Sequence, residues 1–325
     1  MFDQLFSRGG LSIERMRGFL EMAEAGSIAR AAPGDPVRQS LISRQIRELE
    51  EFFGAELTVR RGRGLELTAE GRRLAALARA QFLALDEFRR EHAGEPRSFL
   101  VSAGASTLGW VVAPALPRLA ELFSGATFQT ALLRSRPLVE RVREGRIDFG
   151  IVRRDAIPEV SRKNCETVVR VSFHLCVPRR IIPRKTNRED LADPENWSGL
   201  PFAAGRDGGQ MDRAIRDAMH RIGVTFRPQF ECGSMMHVQT LVARGECAAV
   251  LPSLALPGLD EKRILVAPFA PLEKYGRQLV LHWNPRHLER RGLEPRLMRK
   301  AASLLRETAE EHHSSRVLPQ SATRT

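Results

Sequence analysis

An α/β protein with an all-α front end is the fold class this sequence predicts, and three observations predict it. Residues 1–95 show helical apolar periodicity broken by one Gly- and Arg-rich hairpin. From Pro96 onward, short β-like apolar runs alternate with helical stretches. At 325 residues the chain is too long for one ordinary domain, taking about 150 residues per domain. Hydrophobic residues make up 42% and charged residues 28%, which excludes disorder for most of the chain.

No apolar run approaches the roughly 18 residues that span a bilayer, so no membrane partner is expected. The opening MFDQLFSRGG lacks an export signal, and the cytoplasm is the expected compartment. Cys165, Cys176, Cys232 and Cys247 are scattered without CxxC spacing, so they suggest neither a disulfide framework nor a zinc site. The net charge of +12 points to a polyanionic partner, but residues 1–95 hold 15 Arg and 15 acids. If this front part binds DNA, the placement of its charges must do so rather than their sum.

Taken in order, the first helix runs from Ser12, which caps it, to Ala25, with Ile13, Met16, Phe19, Leu20 and Ala23 on one face. Gly26 suits the left-handed position after a helix end, and Ser27 caps a short second helix through Ala32. Pro33-Gly34-Asp35-Pro36 breaks the chain. A third helix, about Ser40 to Phe53, turns Ile42, Ile46, Leu49 and Phe53 inward and Ser40, Ser43, Arg44, Arg47 and Glu51 outward. Two short strands around Arg60-Arg61-Gly62-Arg63-Gly64 have the form of a wing. Thr68 caps a long helix to about Arg90, whose stripe of Leu74, Leu77, Ala78, Phe82, Leu85 and Phe88 reads as a dimerisation face, the alternative being packing onto its own chain.

Strands are expected at Phe99–Gly104, Phe128–Arg134, Ile147–Val152, Val169–Val177, Phe230–Cys232, Ala248–Leu251 and Gln278–Trp283. The helices between and after them fall at Thr107–Phe123, Leu138–Arg143, Met211–Ile222, Val238–Arg244 and Arg296–Glu311. Such alternation predicts parallel sheets. The last twenty or so residues read as a polar, disordered tail.

The front end resembles the winged helix-turn-helix of LysR-type transcriptional regulators. The resemblance is carried by Phe19-Leu20, Ala25-Gly26-Ser27-Ile28, Ala31-Ala32, Ser43-Arg44-Gln45-Ile46-Arg47-Glu48-Leu49-Glu50, Gly54 and Leu67-Thr68-Ala69-Glu70-Gly71, with the ten-residue interval from Ala32 to Ser43 intact. Gly145-Arg146-Ile147-Asp148 and Gly245-Glu246-Cys247 to Pro252 resemble later motifs of the family, so the likeness spans about residues 11–305. Two departures stand out. Pro33-Gly34-Asp35-Pro36 replaces continued helix, with Asp35 where a core residue is usual, although Asp35 could instead cap the next segment with Pro36 at its first position. Leu57-Thr58 replaces Leu-Phe under the wing.

The resemblance implies a winged helix-turn-helix at 1–68, a linker or dimerisation helix at 69–93, a periplasmic-binding-protein-like α/β effector domain at 97–305, and a tail at 306–325. The effector domain would divide into subdomain I, 97–171 with 269–305, and subdomain II, 172–268. Double-stranded DNA, a small-molecule effector, RNA polymerase and further copies of the chain, as dimer or tetramer, are the implied partners.

Gln39, Ser40, Ser43 and Arg44 have the groups that read base edges, while Arg30, Arg47, Arg60, Arg61 and Arg63 suit phosphates. A solvated helix face is the plain alternative. At Ser102 to Gly109, backbone N–H groups and the Ser106 and Thr107 hydroxyls favour an anion, unless those hydroxyls only cap a helix. The family's cleft would add Ser102, Ser135, Arg136, Gly205, Arg206, Ser234 and Met235. The Ser102–Gly109 segment is neither GxSxG nor a P-loop, and the histidines form no ligand pair at helical spacing, so no catalytic residue, metal or cofactor is expected. A solute-binding protein and an α/β enzyme are the rival readings.

Overall fold

The computed structural model describes residues 3–6, 9–61, 64–206 and 209–314. The chain divides into two units. The first comprises residues 1–97 with Arg141–Asp148 and Arg286–Leu293, and the second takes the rest.

In the first unit, a single turn α1 (Asp3–Phe6) precedes α2 (Ile13–Ala25), α3 (Ile28–Ala31), α4 (Pro36–Phe53), β1 (Thr58–Arg61), β2 (Gly64–Leu67) and α5 (Ala69–His92). The Ser12 side chain caps α2, and Gly26 closes it at φ 74°, a left-handed value suited to glycine. Ser27 caps α3. The α4 helix begins four residues earlier than the sequence reading placed it, because Asp35 accepts from the Arg38 N–H at 2.9 Å and Pro36 occupies the first turn. Phe19, Met22, Ala32, Ile42, Ile46, Leu49, Leu57, Leu74 and Ala75 form the buried core. Phe53, expected inside, is instead exposed beside the closing Gly54.

Beneath the wing, the Glu50 carboxylate accepts from Leu57 N, Thr58 N and Thr58 Oγ1 at 2.9–3.1 Å. Thr58 therefore exchanges an aromatic contact for a polar clasp. Thr68 caps α5 through the Gly71 N–H and also donates to Glu56 O at 2.6 Å. A Cβ at Gly71 would lie 2.0 Å from the Leu57 carbonyl oxygen, so only glycine lets α5 approach β1 this closely.

A second anchor of this unit is ionic. Arg291 is 5% exposed and pairs with Asp148 and with Glu87 of α5. Asp148 also meets His287 Nε2 at 2.7 Å. Four ionisable groups thus share one dry site, where each charge is tolerated because it is paired.

The second unit contains β3 (Ser98–Ala103), α6 (Ala105–Thr107), a π-helical turn at Leu108–Val112, α7 (Ala113–Leu122), β4 (Thr127–Leu132), α8 (Ser135–Arg143), β5 (Phe149–Arg153), β6 (Cys165–Val171) and β7 (Phe173–Pro178). It continues with β8 (Ala203–Gly205), α9 (Gln210–Arg221), β9 (Phe230–Cys232), α10 (Met235–Ala243), β10 (Ala249–Pro252), β11 (Ile264–Pro268), β12 (Arg277–Trp283), α11 (Pro285–Arg290) and α12 (Pro295–Ser314). The last residues of α8 and most of α11 fall in the first unit.

One sheet has the order β4-β3-β5-β12-β6, and another β10-β7-β11, with the β8-β9 pair joined beside β10 by the Phe202–Ala248 bridge. The expected parallel sheets are mixed instead. The β3-β4, β3-β5 and β8-β9 pairs are parallel, whereas β12 and β7 pair antiparallel with both neighbours. The apolar run read as one strand at Val169–Val177 is two strands in different sheets, parted at Ser172. Ser172 and Ser253 exchange hydrogen bonds of 2.8 and 3.3 Å there. The tail expected from residue 306 starts with α12, which continues to Ser314 with Thr308 and Ala309 buried, while 315–325 lie outside the described residues.

Gly71→Ala is expected to cost about 1–3 kcal/mol, the usual price of overpacking, and to lower the thermal midpoint. Gly233→Ala, where a Cβ meets nothing within 4 Å, should be near neutral. Arg291→Met, which removes the guanidinium from both Asp148 and Glu87, should cost roughly 3–5 kcal/mol, seen as a lower urea midpoint.

Candidate nucleic-acid interface and effector cleft

Packing of α2 against α4 leaves one side of α4 outward. Ser40, Arg44 and Arg47 are exposed there and Ser43 is half-buried between them. Arg44 makes a loose contact with Glu48 at 3.7 Å and keeps 68% of its side chain exposed. Arg47 Nε reaches back to Ser43 O at 3.4 Å. Gln39 departs from the expected set, since its side-chain nitrogen donates to Ala32 O at 2.8 Å and braces the turn between α3 and α4. Arg30 is exposed but folds onto Ser27 and Gly26. Arg60 and Arg61 are exposed on the wing, Arg61 within 3.2 Å of Glu66, and Arg63 lies outside the described residues.

Two residues escaped the sequence reading because it began α4 at Ser40. Val37 is 80% exposed in the first turn of α4. Arg38 donates to Glu21 at 2.8 Å, and that hydrogen bond, more than a second one from Arg17, holds the Glu21 carboxyl below its usual range against burial. The same helix also holds Arg15 through Glu48. Glu21 and Glu48 are thereby engaged by Arg38 and Arg15, while Arg44 and Arg47 project outward.

In the second unit, the crossings from β6 to β7 and from β11 to β12 join the two larger sheets. The predicted residues divide. Ser102 is fully buried and donates to Ala131 O at 2.7 Å, so it ties β3 to β4 instead of facing a ligand. Its strand is covered on both faces, and Val101 and Ala103 are buried as well. Ser106 and Thr107 are half-buried in the turn after β3, and their hydroxyls make no hydrogen bond among the described residues, so they do not cap α6.

The Ser135 hydroxyl accepts from the Arg153 N–H at 3.2 Å, setting the start of α8 and exposed Arg136 at the end of β5. On the other sheet, the Arg206 N–H donates to Cys232 O at 2.8 Å and its side chain is exposed. Ser234 caps α10 through the Met236 N–H at 3.1 Å. Met235 is buried, with its sulfur 3.8 Å from where a Gly205 Cβ would stand. Trp110 Nε1 donates to Gln239 Oε1 at 3.3 Å, and a Cβ on Gly109 would meet the Met236 sulfur at 2.5 Å, so the π-helical turn presses on α10. The Tyr275 hydroxyl donates to Gln210 O, at the start of α9, at 3.1 Å. Arg153 and Arg277 carry no motif and are brought near by the pairing of β5 with β12, while Tyr275 lies two residues before Arg277.

Among the described residues, no cluster of three His, Cys, Asp or Glu side chains could hold a metal, and no helix is long and apolar enough to cross a membrane. Burial pushes the Cys247 thiol up to about 12 and raises Cys232 and Cys165 as well.

Comparison with known proteins matches residues 13–72 to the model "Bacterial regulatory helix-turn-helix protein, lysR family" and residues 92–309 to "LysR substrate binding domain". A probable nitrogen assimilation transcriptional activator of Synechococcus elongatus is 25% identical over 80% of this chain and 85% of its own. The full-length LysG regulator of Corynebacterium glutamicum, solved with bound effector Arg, superposes with a TM-score of 0.58 at 18% identity, covering 93% of this chain and 99% of that one. Full-length CbnR complexed with its target DNA gives 0.52 at 19% identity, covering 92% and 100%.

Folded protein treated with iodoacetamide at neutral pH should leave Cys247 unmodified over a time in which urea-unfolded protein is fully alkylated. Mass spectrometry of the digest reads the outcome.

Proposed function

The chain belongs to the LysR family of DNA-binding transcriptional regulators, and on that premise we propose how its residues perform the two tasks of such a regulator. The outward face of α4 enters the major groove, with Ser40, Ser43 and Arg44 at base edges and Val37 offering an apolar contact to a thymine methyl. Arg47, Arg30, Arg60 and Arg61 meet the backbone, where charge fixes register without reading sequence. The observation that carries this reading is Arg44, which keeps 68% of its side chain exposed and makes only a loose contact with Glu48, an acid held more closely by Arg15.

Gln39 acts indirectly, by holding the turn that aims the first residues of α4. Leu77, Leu85 and Phe88 are exposed along α5, and the reading assigns this stripe to a second copy of the chain, giving a homodimer that presents paired reading helices.

The substrate-binding domain senses a small molecule between its two sheets. Ser106, Thr107, Ser135 and Arg136 contribute from one side, and Gly205, Arg206 and Ser234 from the other. Met235 supplies buried support and Ser102 is left out. We read the cleft as a sensor and not an enzyme, because the cleft residues named here include no activated nucleophile or paired acid and base. The effector acts through the difference in its affinity for the open and closed forms of the cleft.

Arg44→Ala should weaken binding to a specific duplex roughly ten- to a hundredfold, about 1–3 kcal/mol, and relax preference at one base position. Arg47→Ala should weaken all duplexes alike and lower the salt slope by about one. Anisotropy titrations at two salt concentrations distinguish them. Unaltered sequence preference in Arg44→Ala would remove its base-reading role.

A further inference from the structure

We infer that the cleft floor is an oxyanion site built by Arg153 and Arg277, so that the effector carries a carboxylate or phosphate group facing these two guanidiniums. This rests on the effector-sensing reading above and names the chemistry of that site. The geometry starts from the sheet. The β3 and β5 strands run parallel, so their carboxyl ends lie together, and β12 runs antiparallel to β5, which brings its amino end to the same edge. Leu279 stands opposite Arg153, so Arg277, two residues before Leu279 in the strand, projects on the same face as a diagonal neighbour of Arg153. Arg277 is also paired with Val171, one residue before the crossing into the other sheet at Ser172. The carboxyl edge of such a sheet is where an open α/β fold receives ligands.

The side chains there have unmet needs. The Arg277 Nε is buried and makes no hydrogen bond, while another nitrogen of the same guanidinium donates to the Tyr275 hydroxyl at 2.8 Å. The Tyr275 ring lies 5.3 Å from the guanidinium carbon and fixes its plane. An orphaned buried donor costs free energy unless a partner arrives. Arg153 is 15% exposed, and its carboxylate neighbour Asp155 stands off at 3.5 Å, itself 61% exposed. Burial lowers the Arg153 guanidinium below its usual range, and the positive charges of Arg277 and Arg136 act in the same direction against Asp155.

Arg153 therefore has two further guanidiniums near it and one mostly solvated carboxylate as its ion-pair partner. A bidentate oxyanion answers both deficits, giving the Arg277 fork an acceptor and the cluster a counter-charge. Tyr275 ties this floor to the opposite wall through Gln210 O, so occupancy at the arginines bears on a contact made across the cleft.

The test uses the full chain in thermal-shift titrations at constant ionic strength, with succinate, benzoate and inorganic phosphate as probes and glucose as the neutral control. Wild type should gain about 3 °C or more at roughly 10 mM from at least one anion and nothing from glucose. The carboxylate and phosphate arms identify which oxyanion is preferred. Arg277→Gln and Arg153→Gln should each weaken that response about tenfold. Arg277→Lys, which keeps the charge and loses the fork, should fall between and serves if a Gln variant fails to fold. Absence of a shift with all three anions, or equal affinity in wild type and the variants, would overturn the site. Binding of the same proteins to genomic duplex fragments is measured alongside. DNA binding without any anion response sinks this inference alone, whereas failure to bind any duplex sinks the regulator reading beneath it.

Discussion

Burying Arg291 constrains much of this structure. A guanidinium at 5% exposure persists because Asp148 and Glu87 are both in contact with it, and Asp148 is further engaged by His287. The ion cluster draws four groups from three separated stretches of chain: α5, the segment after α8 and the segment after β12. Removing water from these charges is expensive, and only this full set of partners offsets it. The consequence is topological. Residues 141–148 and 286–293 are continuous in sequence with strands β5 and β12, whose Arg153 and Arg277 bear the proposed effector site, yet they belong to the unit that contains the helix-turn-helix. Covalent continuity thus links the strands that bear the proposed effector site to the anchor of α5 with few intervening residues.

The turn before α4 shows how a local substitution is absorbed. Continued helix is forbidden by the two prolines, and Gly34 takes a left-handed φ of 73°. What would be a core side chain is Asp35, and burying its charge there would be costly. It turns outward and caps α4 instead, satisfying the Arg38 N–H. Gln39 then closes the turn on Ala32 O. The core is kept because Ala32 and Ile42 on either side remain buried. The departure from the family pattern changes how the helix starts and leaves its outward face in register.

How much of this was legible in the sequence follows from the range of each interaction. Caps at Ser12, Ser27 and Thr68, and the left-handed Gly26 and Gly54, are set by neighbours three or four residues away, so the helices they bound could be read directly. The start of α4 was ambiguous because Asp35-Pro36 serves equally as breaker and cap. Most strands beyond Pro96 were readable from composition, though β8 and β11 were not anticipated, and pairing was not readable. The run through Ser172 has no local signal for a change of sheet, and β11 and β12 are antiparallel members among segments whose alternation with helices implied parallel ones. Ser102 looked like a ligand group because its strand end carries small polar residues, and only the arrangement of β4 alongside β3 shows its hydroxyl taken by Ala131. Arg153 and Arg277 are the opposite case, unremarkable in sequence and brought together by cross-strand register.

The distribution of charge then separates the two tasks. Residues 1–95 are electrically balanced, and the excess of positive charge lies in the remainder. In the helix-turn-helix, balance is local: Glu21 serves Arg17 and Arg38, and Glu48 serves Arg15, leaving Arg44 and Arg47 directed outward. On the proposed reading, such a face gains selectivity from a few outward arginines, since a uniformly basic face would bind every duplex through its phosphates. Around Arg153 the counter-charge within the chain is Asp155 at 3.5 Å, and that carboxylate is mostly solvated. On our proposal, local balance in the helix-turn-helix leaves a few outward arginines to read DNA, while the weakly compensated arginines beside Arg153 mark where a small anion would sit.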